Sequence, residues 1–262
     1  MPESVIELEE VCFCRRERTI LDGINWRVEP GQHWALLGAN GSGKTSLLKI
    51  LSGYEWPTFG QVTVQGQKFG RTNIPELRKT IGHVSSSLEH RLPGQDTAAE
   101  VVASGIDASL GLYRKMCKED MDRATAALAS LRAEGLAGQP YRTMSQGERQ
   151  KVLIARGLIS GPRLLILDEP CAGLDPAARG RFLKDVAYMA SRPQSPCILF
   201  VTHHIEEIGP WVTHVLLLKN GKVLASGRPD EMITSERFSD LFDCRCLVQH
   251  IRGRRRLEIV ES

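Results

Sequence analysis

The amino-acid sequence predicts an α/β fold: a mostly parallel sheet, an antiparallel β layer near the N-terminus, and a helical subdomain inserted into the α/β core. Three observations carry this. Leu164-Leu165-Ile166-Leu167 and Cys197-Ile198-Leu199-Phe200-Val201 are short apolar runs without alternation, as parallel strands buried on both faces require. His33-Trp34-Ala35-Leu36-Leu37 is a third such run, and a glycine-rich loop separates it from a segment with helical spacing. Between about residues 88 and 161 strand signals give way to helical ones.

In chain order, Val5 to Val28 reads as strands joined by turns, since Ile6, Leu8, Val11 and Phe13 lie near alternation and Ile20 to Val28 repeats the pattern around Asp22-Gly23. Pro30-Gly31 closes a turn before the His33–Leu37 run, and Ser46 to Leu51 reads as a helix that stops at Gly53. Thr97-x-x-Glu100 has capping-box form ahead of Val101-Val102, and Met121 to Leu131 is rich in Ala and Leu. Val215 to Leu218, Asn220-Gly221 and Val223-Leu224 read as a hairpin with a type I′ turn.

The chain has 262 residues, enough for one large domain with an insertion. We expect a single domain over 1–262, with a core of 1–87 and 161–262 and a helical subdomain of 88–160. Apolar residues at 42% and charged residues at 25% are ordinary for a folded protein and leave little room for disorder. A net charge of +3 is too small to argue for a nucleic-acid partner, which calls for a concentrated basic stripe. No run approaches the roughly 18 to 20 apolar residues that span a bilayer, and the start Met1-Pro2-Glu3-Ser4 lacks a basic, then apolar, leader. The expectation is a soluble cytoplasmic protein. Seven cysteines are an odd count, and the C-x-C pairs at 12/14 and 244/246 do not have zinc-ribbon spacing. They read as reduced structural thiols.

Gly38-Ala39-Asn40-Gly41-Ser42-Gly43-Lys44-Thr45 matches G-x-x-x-x-G-K-[ST] between a strand and a helix, the setting in which the motif is a P-loop. Backbone N–H groups of this loop, and of Ser46 at the helix start, converge on a phosphate, to which the helix N-terminus adds partial positive charge. Lys44 is placed to reach the β- and γ-phosphates of ATP and Thr45 to offer its hydroxyl to Mg2+. Leu164 to Leu167 ends in Asp168-Glu169. Downstream of a P-loop, Asp168 suits the Mg2+ shell and Glu169 suits the general base that polarises water.

Met144-Ser145-Gln146-Gly147-Glu148 then resembles the signature, usually Leu-Ser-Gly-Gly-Gln, of the ABC-type ATPases. Ala172-Gly173-Leu174-Asp175 is similar to that family's D-loop, and Val201-Thr202-His203 to its switch histidine. The resemblance runs from about Leu8 to Gly227 and implies a P-loop NTPase core working as a head-to-tail homodimer. Ser145 and Gly147, in a loop ahead of a helix from Glu148 to Ile159, would then bind the ATP held by the other copy, and His203 would position water together with Glu169. The implied activity is MgATP hydrolysis, energising a membrane transporter through a separate permease. A soluble ABC ATPase acting on a nucleic-acid, ribosomal or protein assembly is the alternative; the chain has neither tandem cassettes nor a long heptad insertion.

Outside the signature, two positions depart from the family pattern, and a C-terminal arginine cluster has no assigned role. Ser86, in Ile81-Gly82-His83-Val84-Ser85-Ser86-Ser87, stands where the Q-loop glutamine is usual, so its place in the Mg2+ shell passes through water or gives way to a role as a joint. Arg15 stands where an aromatic normally covers adenine; it either stacks its guanidinium on the base or is a solvated strand-end residue. Arg252, Arg254, Arg255 and Arg256 surround Gly253 on a C-terminal hairpin and read as a solvated turn or as a contact for a partner or anionic lipid. The Ser-rich Q-loop, the Ser-Gln-Gly-Glu signature and Asp168 to Asp175 together resemble a stand-alone subgroup similar to molybdate-transport ATP-binding proteins.

Overall fold

The computed structural model describes residues 3–85, 92–107, 109, 111–112, 114–251 and 253–260. The chain forms two compact units, Met1–Ile74 with Cys197–Ser262, and Pro75–Pro196. The fold is α/β with a mostly parallel central sheet and an antiparallel β layer.

In the first unit the antiparallel layer has the order β2-β1-β4-β5, formed by β1 (Ile6–Arg15), β2 (Arg18–Val28), β4 (Phe59–Val64) and β5 (Gln67–Lys68). Ile6 lies opposite both Val28 and Val64, and all three are buried; this cross-strand apolar row fixes the register. The parallel portion is built around β3 (Trp34–Leu37), which pairs with β8 (Cys197–Thr202) on one side and β9 (His214–Lys219) on the other. Every residue of β3 and β8 is buried, which is why neither run alternates.

β9 turns into the antiparallel edge strand β10 (Lys222–Gly227). Asn220 and Gly221 have φ of 48° and 77°, the two left-handed residues of a type I′ turn. A C-terminal hairpin of β11 (Cys246–Ile251) and β12 (Arg254–Ile259) follows. Arg254 and Arg256 are exposed there, and Arg252 lies outside the described residues. Arg255 departs from the solvated-turn reading: it sits on the strand, its side chain only 14% exposed, and donates to Asp230 at 2.6 Å.

In the second unit β6 (Ile81–Ser85) runs parallel to β7 (Leu164–Asp168), with Ser85 opposite Asp168. The helices Ala98–Ala103, Lys118–Ala129, Gln146–Leu158 and Pro176–Ala190 belong to this unit. The Thr97 hydroxyl accepts from Glu100 N–H while the Glu100 carboxylate accepts from Thr97 N–H, the reciprocal cap that the sequence spacing announces. The helix expected from Met121 starts at Lys118 instead, because Asp120 accepts from Cys117 N–H and is gripped by Arg114. That pairing also holds the Asp120 carboxyl well below its ordinary range.

All seven cysteines are free thiols, and burial pushes the Cys197 thiol up to about 12, so it packs as an inert apolar group. No helix among the described residues is long and apolar enough to cross a membrane.

Gly221 tests the packing of the first unit. An added Cβ would meet the Ile20 carbonyl oxygen at 2.3 Å on a left-handed backbone. Gly221→Ala is therefore expected to lower unfolding free energy by about 1–3 kcal/mol, measured by urea denaturation.

Candidate functional site

The loop Gly38–Gly43 leaves the buried end of β3 and enters the helix Lys44–Leu51, with Gly43 at the N-cap and φ of 107°. Leu37 lies level with Thr202 of β8 and Leu217 of β9, so the loop emerges between two fixed strands. Backbone contacts shape it: Ser42 N–H donates to the Ala39 carbonyl at 3.2 Å, and Gly221 N–H donates to the Ser42 carbonyl at 2.9 Å. Gly38 is closely packed, since a Cβ there would lie 2.4 Å from the Leu218 carbonyl oxygen and 2.6 Å from Ser42 Oγ.

Lys44 is 8% exposed, and its ammonium donates to the carbonyls of Gly38 and Ala39 at 2.7 and 3.0 Å. The first turn of the helix holds no acidic residue, so nothing there offsets the positive helix end. Ser42 is 4% exposed, and its hydroxyl has no hydrogen-bond partner among the described residues. A buried cation, a buried unpaired hydroxyl and a helix N-terminus in one loop fit a polyphosphate. Asn40, Gly41 and Thr45 stand exposed at the rim, Ser46 half-buried behind them. The hydroxyl of Thr45 is a hard oxygen donor of the kind that Mg2+ prefers.

His203 follows Thr202 directly, so it and Gly38 leave adjacent parallel strands at the same end. Its imidazole lies against that of His204, ring centroids 4.0 Å apart. The turn is fixed from below: the Thr202 hydroxyl donates to the buried Glu207 carboxylate at 2.7 Å and accepts from His204 N–H at 3.0 Å. Arg15 ends β1 opposite Arg18. It is 68% exposed, 3.5 Å from the Glu55 carboxylate, and lines a cleft with Arg16, Glu17, Arg18 and Ile20.

In the second unit Asp168 ends β7 and Glu169 follows with φ of 47°, a left-handed conformation that non-glycine residues adopt at a cost and that clusters at functional sites. Ser86 lies outside the described residues. Ser145 is the N-cap of the helix Gln146–Leu158, so the helix begins two residues before the expected Glu148 and Gly147 sits in its first turn. The reason is a second capping box: Glu148 accepts from Ser145 N–H at 2.8 Å and from the Ser145 hydroxyl at 2.7 Å, while that hydroxyl accepts from Glu148 N–H at 3.4 Å.

The Gln146 amide reaches the Ala172 carbonyl at 3.2 Å. Asp175 caps the helix Pro176–Ala190 by accepting from Ala177 and Ala178 N–H, each at 2.8 Å. These two helix N-termini open on one cavity of about 390 Å3, lined among others by Ser145, Gly147, Glu148, Lys151, Asp175 and Arg181. The caps were legible in Ser145-x-x-Glu148 and Asp175-Pro176. The reach of Gln146 and the backbone of Glu169 had no sequence signal.

A family model described as ABC transporter matches residues 21–172. An uncharacterized ABC transporter ATP-binding protein of Bacillus subtilis (strain 168), YlmA, is 45% identical over 240 residues, covering 91% of each chain. The ABC transporter ATP-binding protein ModF of Escherichia coli (strain K12) is 34% identical over 217 residues, covering 82% of this chain and 44% of ModF. Among solved structures, cbiO1 from Clostridium perfringens, part of the ABC transporter complex cbiONQ, superposes with a TM-score of 0.78 at 27% identity, covering 91% of this chain and 94% of that one. The dimeric cassette MJ0796 does so with a TM-score of 0.70 at 25% identity, covering 85% and 98%.

The crowding at Gly38 yields a test. Gly38→Ala is expected to leave the fold intact while weakening binding of a nucleoside triphosphate about tenfold or more, or about 1.4 kcal/mol, because the loop must open to admit the methyl group. Calorimetric titration beside a thermal melt checks both halves of this expectation.

Proposed function

The chain belongs to the ABC transporter ATP-binding family, and from that premise we propose that it is a MgATP-hydrolysing subunit that closes as a head-to-tail homodimer and energises a separate permease. ATP hydrolysis comes with the family. The Mg2+ requirement, the homodimer, the permease and the residue roles are our reading. The observation that carries it is the Gly38–Thr45 loop, with its buried Lys44 ammonium at an uncompensated helix N-terminus.

In this reading, Gly38 to Ser46 wrap the phosphates with backbone N–H groups, and Lys44 exchanges its loop carbonyls for β- and γ-phosphate oxygens. Thr45 and Asp168 are the residues that would hold a Mg2+, and the ion would supply neutralisation of charge developing on the phosphoryl oxygens. Glu169 accepts the proton of the attacking water and His203 donates a hydrogen bond to the γ-phosphate, leaving ADP and phosphate as products. Arg15 would lay its guanidinium against the base. Ser145 and Gly147 present their helix N-terminus to the nucleotide bound by the other copy, so each catalytic site needs two chains.

The dimeric form of MJ0796 and the membership of cbiO1 in a transporter complex support the homodimer and the permease by analogy. With a permease as partner, the subunit works at the cytoplasmic face of the membrane, and co-purification of a multi-span membrane protein with the tagged chain checks that assignment.

Two substitutions test the chemistry. Lys44→Ala is expected to abolish measurable MgATP binding, since it removes the buried cation of the cradle; unchanged affinity by calorimetry would remove the loop from the site. Glu169→Gln is expected to keep binding, to lower turnover by at least about 100-fold, and to accumulate an ATP-bound dimer in sedimentation velocity. Wild-type turnover in that variant would strip Glu169 of its role as base.

A further inference from the structure

The signature segment of this chain carries an acid where the family pattern has a neutral amide. Glu148 is bound to Ser145 by three hydrogen bonds, one of them from the Ser145 hydroxyl at 2.7 Å. The Ser145 hydroxyl, at the helix N-terminus that the proposed function turns toward the other copy's nucleotide, therefore already donates its only proton to a carboxylate of the same chain. That carboxylate also lies at the positive end of the helix Gln146–Leu158 and lines the 390 Å3 cavity there. Hydrogen bonds from Ser145, then the charge of Lys151, keep it below its ordinary range, so it is ionised at neutral pH.

The neighbouring charges do not cancel it. Lys151 is committed to Asp185 at 2.7 Å, Asp175 adds a second carboxylate at the adjoining helix start, and Arg181 is the remaining basic side chain lining the cavity. A phosphate arriving at this helix N-terminus meets an anion seated where the helix would otherwise offer only donors and partial positive charge.

We infer that Glu148 is a positioning residue that sets the threshold for ATP-driven dimerisation, holding the Ser145 hydroxyl and opposing the incoming γ-phosphate until nucleotide occupancy overcomes it. The inference rests on the proposed role of Ser145. A glutamine at position 148 can still close the capping box, but it carries no charge to repel the phosphate and accepts the hydroxyl proton less strongly. The chain thereby carries a higher nucleotide requirement for dimerisation than a glutamine at this position would give it.

The test, made in the Glu169→Gln background so that hydrolysis does not dissolve the dimer, is the ATP concentration giving half-maximal dimer in sedimentation velocity, for the otherwise wild-type chain, Glu148→Gln and Ser145→Ala, from about 0.01 M to about 1 M salt, over which the screening length falls from about 30 Å to about 3 Å. Glu148→Gln is expected to need roughly threefold to tenfold less ATP than wild type at low salt, with the ratio approaching unity at high salt. A ratio of one at low salt overturns the inference. So does a ratio that does not change with salt, which marks an altered cap rather than a lost charge. Ser145→Ala is expected to dimerise poorly at every salt concentration. If it matches wild type, the role of Ser145 itself falls; if it fails while Glu148→Gln behaves as wild type, only the role of Glu148 does.

Discussion

The parallel pairing of β3 with β8 and β9 is the constraint on which the rest of the first unit depends. A four-residue strand buried along its whole length can satisfy its backbone only through ladders on both sides, and the register of those ladders decides where the chain leaves the sheet. With Leu37 level with Thr202, the glycine loop and His203 are delivered to one edge by the same hydrogen bonds that stabilise the core. Placement of the loop is thus a by-product of apolar burial, and chemistry enters only in the residues that follow each strand.

The second unit repeats the logic with fewer strands. β6 and β7 bring Ser85 level with Asp168, so the acidic strand end has a neighbour of fixed height. The turn after Asp168 is sharper than the strand itself permits, and Glu169 bears the cost in its left-handed backbone. Helix starts supply the remaining order: Ser145 and Asp175 each close a first turn with a side-chain acceptor, so two helices begin beside one cavity without a loop long enough to blur the geometry.

Much of this was legible in the sequence because it rests on local rules. Unalternating apolar runs marked β3, β7 and β8; Asn220-Gly221 marked a type I′ turn; Thr97-x-x-Glu100 marked a helix start. The start at Ser145 obeys the same capping rule, which puts the first helical residue at Gln146 rather than Glu148. What stayed illegible depends on partners distant in sequence or on backbone torsion. Arg255 reads as a surface residue until Asp230 is brought beside it, and nothing in Gln146 announces the Ala172 carbonyl. Glu169 could be picked out as an acid after a buried strand, but no residue type encodes a φ of 47° there.

The hydrogen bond from Gly221 to the carbonyl of Ser42 carries a consequence of a different kind. It ties the glycine loop to the tip of an edge hairpin through main-chain atoms alone, so the loop's shape is heritable independently of most side chains within it. An insertion or deletion between β9 and β10 would move the Gly221 N–H that holds the Ser42 carbonyl and so reshape the loop from a site outside it. The hairpin turn in that sense helps to set the loop's shape without being part of the loop.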